Sequence, residues 1–116
     1  MKRIITIVAL LAAPVAAHAH AMLDHANPRV GSTVATAPKE LSLWFTEKLE
    51  PAFSTAEVRN AQGAAQSGKA HVDNGDRTEL RVPLKALPPG TYTVIWHVLS
   101  VDTHRTQGTF SFTVGH

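Results

Sequence analysis

An all-β fold, a Greek-key sandwich or barrel of about seven short strands, is predicted by three features of the sequence. Several segments alternate apolar and polar side chains with period two, the pattern of a strand with one face buried. Turn-forming residues recur at short intervals between those segments. No segment sustains an apolar period of 3.6 residues flanked by caps, so no helix is expected.

Residues 1–19 stand apart from this pattern. Lys2 and Arg3 precede an apolar run over residues 4–13, and Ala17-His18-Ala19 has the small-x-small form of a cleavage site. These are the parts of a secretory signal peptide. The run is shorter than the roughly 18 residues that a membrane-spanning helix needs. No second apolar run follows, so the processed chain is expected to be soluble, periplasmic and not inserted in a membrane. Cleavage after Ala19 makes His20 the first residue; Val15-Ala16-Ala17 would also serve as a cleavage signal. One domain of residues 20–116 remains, without linker or repeat.

The strands follow in order. A short one is expected at residues 21–25, ended by Asn27-Pro28 and Val30-Gly31-Ser32. Residues 40–47 place Leu41, Leu43 and Phe45 on one face and Ser42, Trp44 and Thr46 on the other. Short candidates at 56–60 and 66–72 are separated by Asn60-Ala61-Gln62-Gly63, and Asn74-Gly75 marks a hairpin reversal. Residues 78–84 put Leu80, Val82 and Leu84 on one face. Pro88-Pro89-Gly90 leads into the strongest strand, 91–99, with Tyr92, Val94, Trp96 and Val98 opposite Thr93, Ile95, His97 and Leu99. Residues 109–114 turn Phe110, Phe112 and Val114 to one side. This spacing fits an immunoglobulin-like sandwich, and residues 87–92 fit a tyrosine corner.

Composition narrows the chemistry. Loss of Lys2 and Arg3 takes the 11 basic side chains to nine, level with the 9 acidic ones. The net charge of +2 therefore belongs to the leader, and no nucleic-acid or anionic-membrane partner is implied. There are no cysteines, which excludes disulfides and thiolate metal sites. Of two methionines only Met22 survives processing, so a methionine-rich copper(I) site is excluded too.

One set of residues carries chemistry. A histidine at a new N-terminus offers its imidazole together with an α-amine of pKa about 8, a chelating pair created by processing. In Asp102-Thr103-His104 the outer residues lie roughly 6.5–7 Å apart on one side of an extended chain. An amine, two imidazoles and a carboxylate favour copper(II), with zinc as a weaker competitor.

At these residues the chain resembles the CopC family of periplasmic copper proteins, including its YobA-type members. The likeness runs through His20 with Pro28 eight positions on, then Leu43-Trp44-Phe45-Thr46-Glu47. It continues with Pro89-Gly90-Thr91-Tyr92-Thr93-Val94-Ile95-Trp96, then Ser100-Val101-Asp102-Thr103-His104, then residues 108–114 (G-T-F-S-F-T-V). It implies an immunoglobulin-like or cupredoxin-like β-barrel. It also implies copper(II) held by His20 through amine and imidazole, a histidine brace, with Asp102 and His104 completing the set and Glu47 beside them. The proline spacing favours cleavage before His20. Some members carry a methionine-rich loop for copper(I); residues 60–71 here contain no methionine, so a copper(II)-only protein is expected.

The remaining histidines read as structural or exposed. His25 does not share a strand face with His20, His71 is a surface residue, and His116 ends the chain. His97 is expected to be partly buried and hydrogen-bonded. Trp44 and Trp96 are read as packing residues and Arg105 as exposed. The function expected is copper homeostasis and resistance by a monomeric binding protein, not an enzyme, passing copper to a CopD-type inner-membrane transporter. The alternatives are a copper-dependent oxidative enzyme using the brace, and an immunoglobulin-like module without metal.

Overall fold

A computed structural model describes residues 21–115. The leader, its cleavage point, His20 and His116 lie outside the described residues. Eight strands form: β1 (Leu23–Asn27), β2 (Thr33–Val34), β3 (Glu40–Phe45), β4 (Thr55–Arg59), β5 (His71–Val72), β6 (Glu79–Pro83), β7 (Gly90–Leu99) and β8 (Arg105–Val114). A 3-10 turn, Pro51–Phe53, precedes β4. The strands make two four-stranded sheets, ordered β1-β3-β6-β5 and β2-β8-β7-β4.

The alternation in the sequence sets which faces meet. Leu41, Leu43, Phe45, Leu80 and Val82 from one sheet face Val58, Tyr92, Val94, Trp96, Val98, Phe112 and Val114 from the other, and all are buried. Every inward face named from the sequence is the observed one, Leu84 and Phe110 being only partly covered. Fully burying such side chains contributes roughly 1.5–3 kcal/mol each, the term that a cysteine-free domain must rely on. Tyr92 closes the corner as its pattern predicts, donating its hydroxyl to the Pro88 carbonyl.

Besides shifts in strand ends, three features differ from the sequence reading. β2 was not anticipated: two residues are too few to show a period, and they pair in parallel with Thr113 and Val114. Most of the 66–72 candidate is irregular, because Gln66 and Ser67 bond back to Val58, Gly68 makes a single bond to Pro83 at the end of β6, and only His71–Val72 pairs with β6 as a strand. His97 is exposed, not partly buried, since it stands on the outward face of β7 between Thr55 and Gln107.

Charge is not confined to solvent either. Glu79 is buried, and its carboxylate lies 3.3 Å from Arg81 Nε on the outer side of the first sheet. Asp73 and Glu40 approach the same guanidinium at 3.3 and 3.2 Å.

Candidate metal centre

The site is built on the β7–β8 hairpin, ten residue pairs in unbroken register from Gly90↔Val114 to Leu99↔Arg105. Beyond that ladder Ser100 N–H donates to His104 O at 3.0 Å, and Thr103 N–H donates to Ser100 O at 2.8 Å. Val101, Asp102 and Thr103 thus form a three-residue hairpin loop, a type of turn whose last residue adopts the left-handed conformation. Thr103 takes that role with φ 73°, a position that a β-branched side chain occupies at a cost of about 1–2 kcal/mol. The turn is what lifts Asp102 and His104 to one side.

Asp102 and His104 do come together. His104 Nδ1 lies 3.2 Å from Asp102 Oδ1. In the tautomer that donates Nδ1–H to the carboxylate, the ring carries its lone pair on Nε2. Asp102 Oδ1 also accepts a short bond from Ser100 Oγ, and Ser100 is buried. The same hydroxyl accepts His104 N–H at 3.2 Å. The bond from Ser100 holds the Asp102 carboxyl below its ordinary value of 3.8. Partial burial opposes this, and the bond and charge of His104 add to it. The turn therefore presents a carboxylate already ionised at neutral pH beside an oriented imidazole, two donors suited to a divalent ion.

The segment Ala21-Met22 is held beside this turn. Ala21 is fully buried, and its carbonyl accepts the Thr106 hydroxyl at 2.7 Å. Met22 N–H donates to Thr46 Oγ1 at 3.0 Å, and Thr46 N–H returns a bond to Met22 O at 2.9 Å. On the other side Val101 N–H donates to Lys48 O at 3.0 Å. The segment Thr46-Glu47-Lys48 thus links Ala21-Met22 to the turn. Glu47, the acidic residue expected near the site, sits half-buried between those two anchors. It makes no hydrogen bond or ion pair with Asp102 or His104 among the described residues.

His20 lies outside the described residues. Among the described residues no group of three acidic, histidine or cysteine side chains gathers, so Asp102 and His104 stand as a pair. His25 stacks on Trp44 with ring centroids 4.5 Å apart and bonds Asp24 at 2.7 Å, on the outer face of the first sheet. His71 is exposed and opposite Arg81. Trp96 is buried edge-on to Phe45. The sequence reading gives no role to Ser100, Thr46 or Thr106. Hydroxyls of this kind leave no periodic trace, and only the folded hairpin shows what they grip.

A family model described as the CopC domain matches residues 23–115. Protein YobA of Escherichia coli (strain K12) is 41% identical over 98 residues, covering 83% of this chain and 79% of that protein. The crystal structure of CopC from Methylosinus trichosporium OB3b superposes with a TM-score of 0.79 at 32% identity, covering 83% of this chain and 94% of that one. PcoC of Escherichia coli, described as a methionine rich copper resistance protein, gives 0.73 at 31% identity, with 83% and 99% covered.

Proposed function

The chain belongs to the CopC domain family, and from that premise we propose that it is a periplasmic protein of copper homeostasis and resistance that holds one copper(II) ion as cargo. In this reading residues 1–19 are removed on export. His20 then supplies its amine and imidazole, and Asp102 and His104 supply a carboxylate and a second imidazole. Glu47 lies beside the set without touching the ion.

The observation that carries the reading is the anchoring of Ala21 to Thr106, which stands in β8 two residues after His104. One peptide unit spans 3.8 Å between Cα atoms. The reading requires position 20 to lie beside the turn, and a new N-terminus at that position is what would add an amine there. Nitrogen and oxygen donors with no thiolate or thioether cluster suit copper(II) rather than copper(I). The ligand set contains no group assigned to turnover. Its cargo then passes to a membrane transporter of the CopD type, and the protein acts as a monomer.

The test is a copper(II) titration of protein shown by mass spectrometry to begin at His20. One equivalent binds, with a nitrogen-rich paramagnetic spectrum. His104→Ala weakens uptake strongly, His71→Ala leaves it unchanged, and acetylation of the α-amine weakens it as His104→Ala does. Uptake indifferent to acetylation would overturn the reading, and sustained ascorbate-driven peroxide formation would replace it with an oxidative enzyme.

A further inference from the structure

The hydrogen-bond phase of β8 leaves one of its edges open. Ser100 N–H bonds His104 O, so residue 104 and every second residue after it turn their backbone groups toward β7. Residues 105, 107, 109 and 111 turn theirs the other way. The far end of that edge is covered: Gly31 N–H donates to Ser111 O at 2.7 Å, and Thr113 N–H donates to Ser32 O at 2.8 Å. Between the turn and Ser111, the backbone groups of Arg105, Gln107 and Thr109 meet no backbone partner among the described residues. Their side chains and that of Ser111 are exposed.

Proteins usually blunt such an edge with lysines, prolines or bulges. Here residues 105–111 read R-T-Q-G-T-F-S, with no proline and Arg105 as the only charge. Arg105 makes no ion pair among the described residues, whereas Arg59 and Arg81 are both paired. β2 already shows that this edge accepts a parallel strand. A second copy fits poorly. Two β8 edges related by a two-fold axis would lay each copy's β2 across the other's Val101–Thr103 turn, and would offer Arg105 no anion. A single extended segment meets neither obstacle.

We infer that the open edge of β8 from Arg105 to Ser111 is a strand-addition site for an extended segment of a partner protein that carries an acidic side chain beside Arg105. Backbone groups at three alternate positions supply the ladder, and the guanidinium sets the register. The incoming strand lies one residue from His104, so a docked partner is brought to the rim of the candidate metal centre. The inference goes beyond copper binding and does not depend on it.

Amide exchange read by NMR on the copper-free protein, with chelator present, is the first test. Gln107 and Thr109 amides exchange fast while those of Thr106, Gly108 and Phe110 are protected; protection of all five in the free protein would overturn the inference. The second test titrates a capped seven-residue peptide of alternating threonine and valine with one aspartate. Shifts confined to β8 and slowed exchange at Gln107 and Thr109 are expected at millimolar peptide. Replacing the aspartate by lysine weakens binding about two- to fivefold, the range of a cross-strand charge pair. Arg105→Glu reverses that preference, and N-methylation of the peptide's backbone abolishes binding. No binding at millimolar peptide, an unchanged preference in Arg105→Glu, or dimerisation through β8 in diffusion measurements would each sink the proposal.

Discussion

Gly108→Ala probes the hairpin that carries the candidate centre. Gly108 faces Trp96 directly across the β7–β8 ladder. A Cβ added there would lie 2.5 Å from Trp96 Cζ2, 2.9 Å from Cε2 and 3.2 Å from Nε1. The indole cannot simply swing away. It is buried and packs edge-on to Phe45 at a centroid distance of 5.1 Å. Forcing one methyl into a filled core costs about 1–3 kcal/mol. The reduced freedom of the unfolded chain returns about 0.4–1 kcal/mol. A contact as short as 2.5 Å puts the packing cost in the upper half of its range, about 2–3 kcal/mol, so the variant is less stable by about 1–2.6 kcal/mol, which for a domain of this size lowers Tm by roughly 4–21 °C. Urea unfolding followed by tryptophan fluorescence measures the loss. Gly108→Ala combined with Trp96→Leu should recover part of it, because the added methyl then meets a smaller neighbour. A single variant within 0.5 kcal/mol of the parent, or a double variant showing simple additivity, would refute the packing argument.

Other outcomes follow from the same geometry. Ser100→Ala removes the hydroxyl that orients Asp102 and His104; copper affinity should fall about 10–100-fold while the fold, monitored by circular dichroism, persists. Tyr92→Phe leaves the Pro88 carbonyl without its donor and should cost about 1–2 kcal/mol in denaturant unfolding. Copper affinity should fall as pH drops from about 7 to about 5, because protons compete with the ion for the amine and imidazole nitrogens. Asp102 is held below its ordinary 3.8, so it stays ionised through that range. Its contribution to the metal-free fold is present above that ordinary value and is lost only as pH falls through the lowered one, as it is for Asp76, whose carboxyl is lowered by its bonds to Thr78. Copper affinity unchanged between about pH 7 and about pH 5 in a competition titration would contradict this assignment.

The fold was legible because burial on one face of a strand writes itself as alternation. Leu41, Leu43 and Phe45 announce β3, and Tyr92 to Val98 announce β7, by period alone. The start of β8 was missed by four residues, since Arg105 to Gly108 alternate in exposure but not in hydrophobicity. β2 was missed because its existence depends on a neighbour, Thr113 and Val114, far along the chain. Asp102 and His104 do meet, but not by the i and i+2 spacing of an extended chain: residues 101–103 form a turn with Thr103 at φ 73°, and that turn brings the two side chains together. What holds the pair was not legible: a buried serine, a threonine with φ 73° and a clamp from Ala21 to Thr106 arise only when distant segments meet. His97 illustrates the opposite error. Its alternation with Trp96 was read correctly, but period alone does not say whether the outward face is covered.

The bond from Thr106 to Ala21 joins positions 85 apart in the chain, and it crosses from the second sheet to the approach of the first. A copper ion gripped at both ends of that seam would fasten it a second time. It would do so without sulfur, in a domain that has no cystine to call on. Cargo and fastener would then be the same atom, and surrendering the one would mean unbuttoning the other.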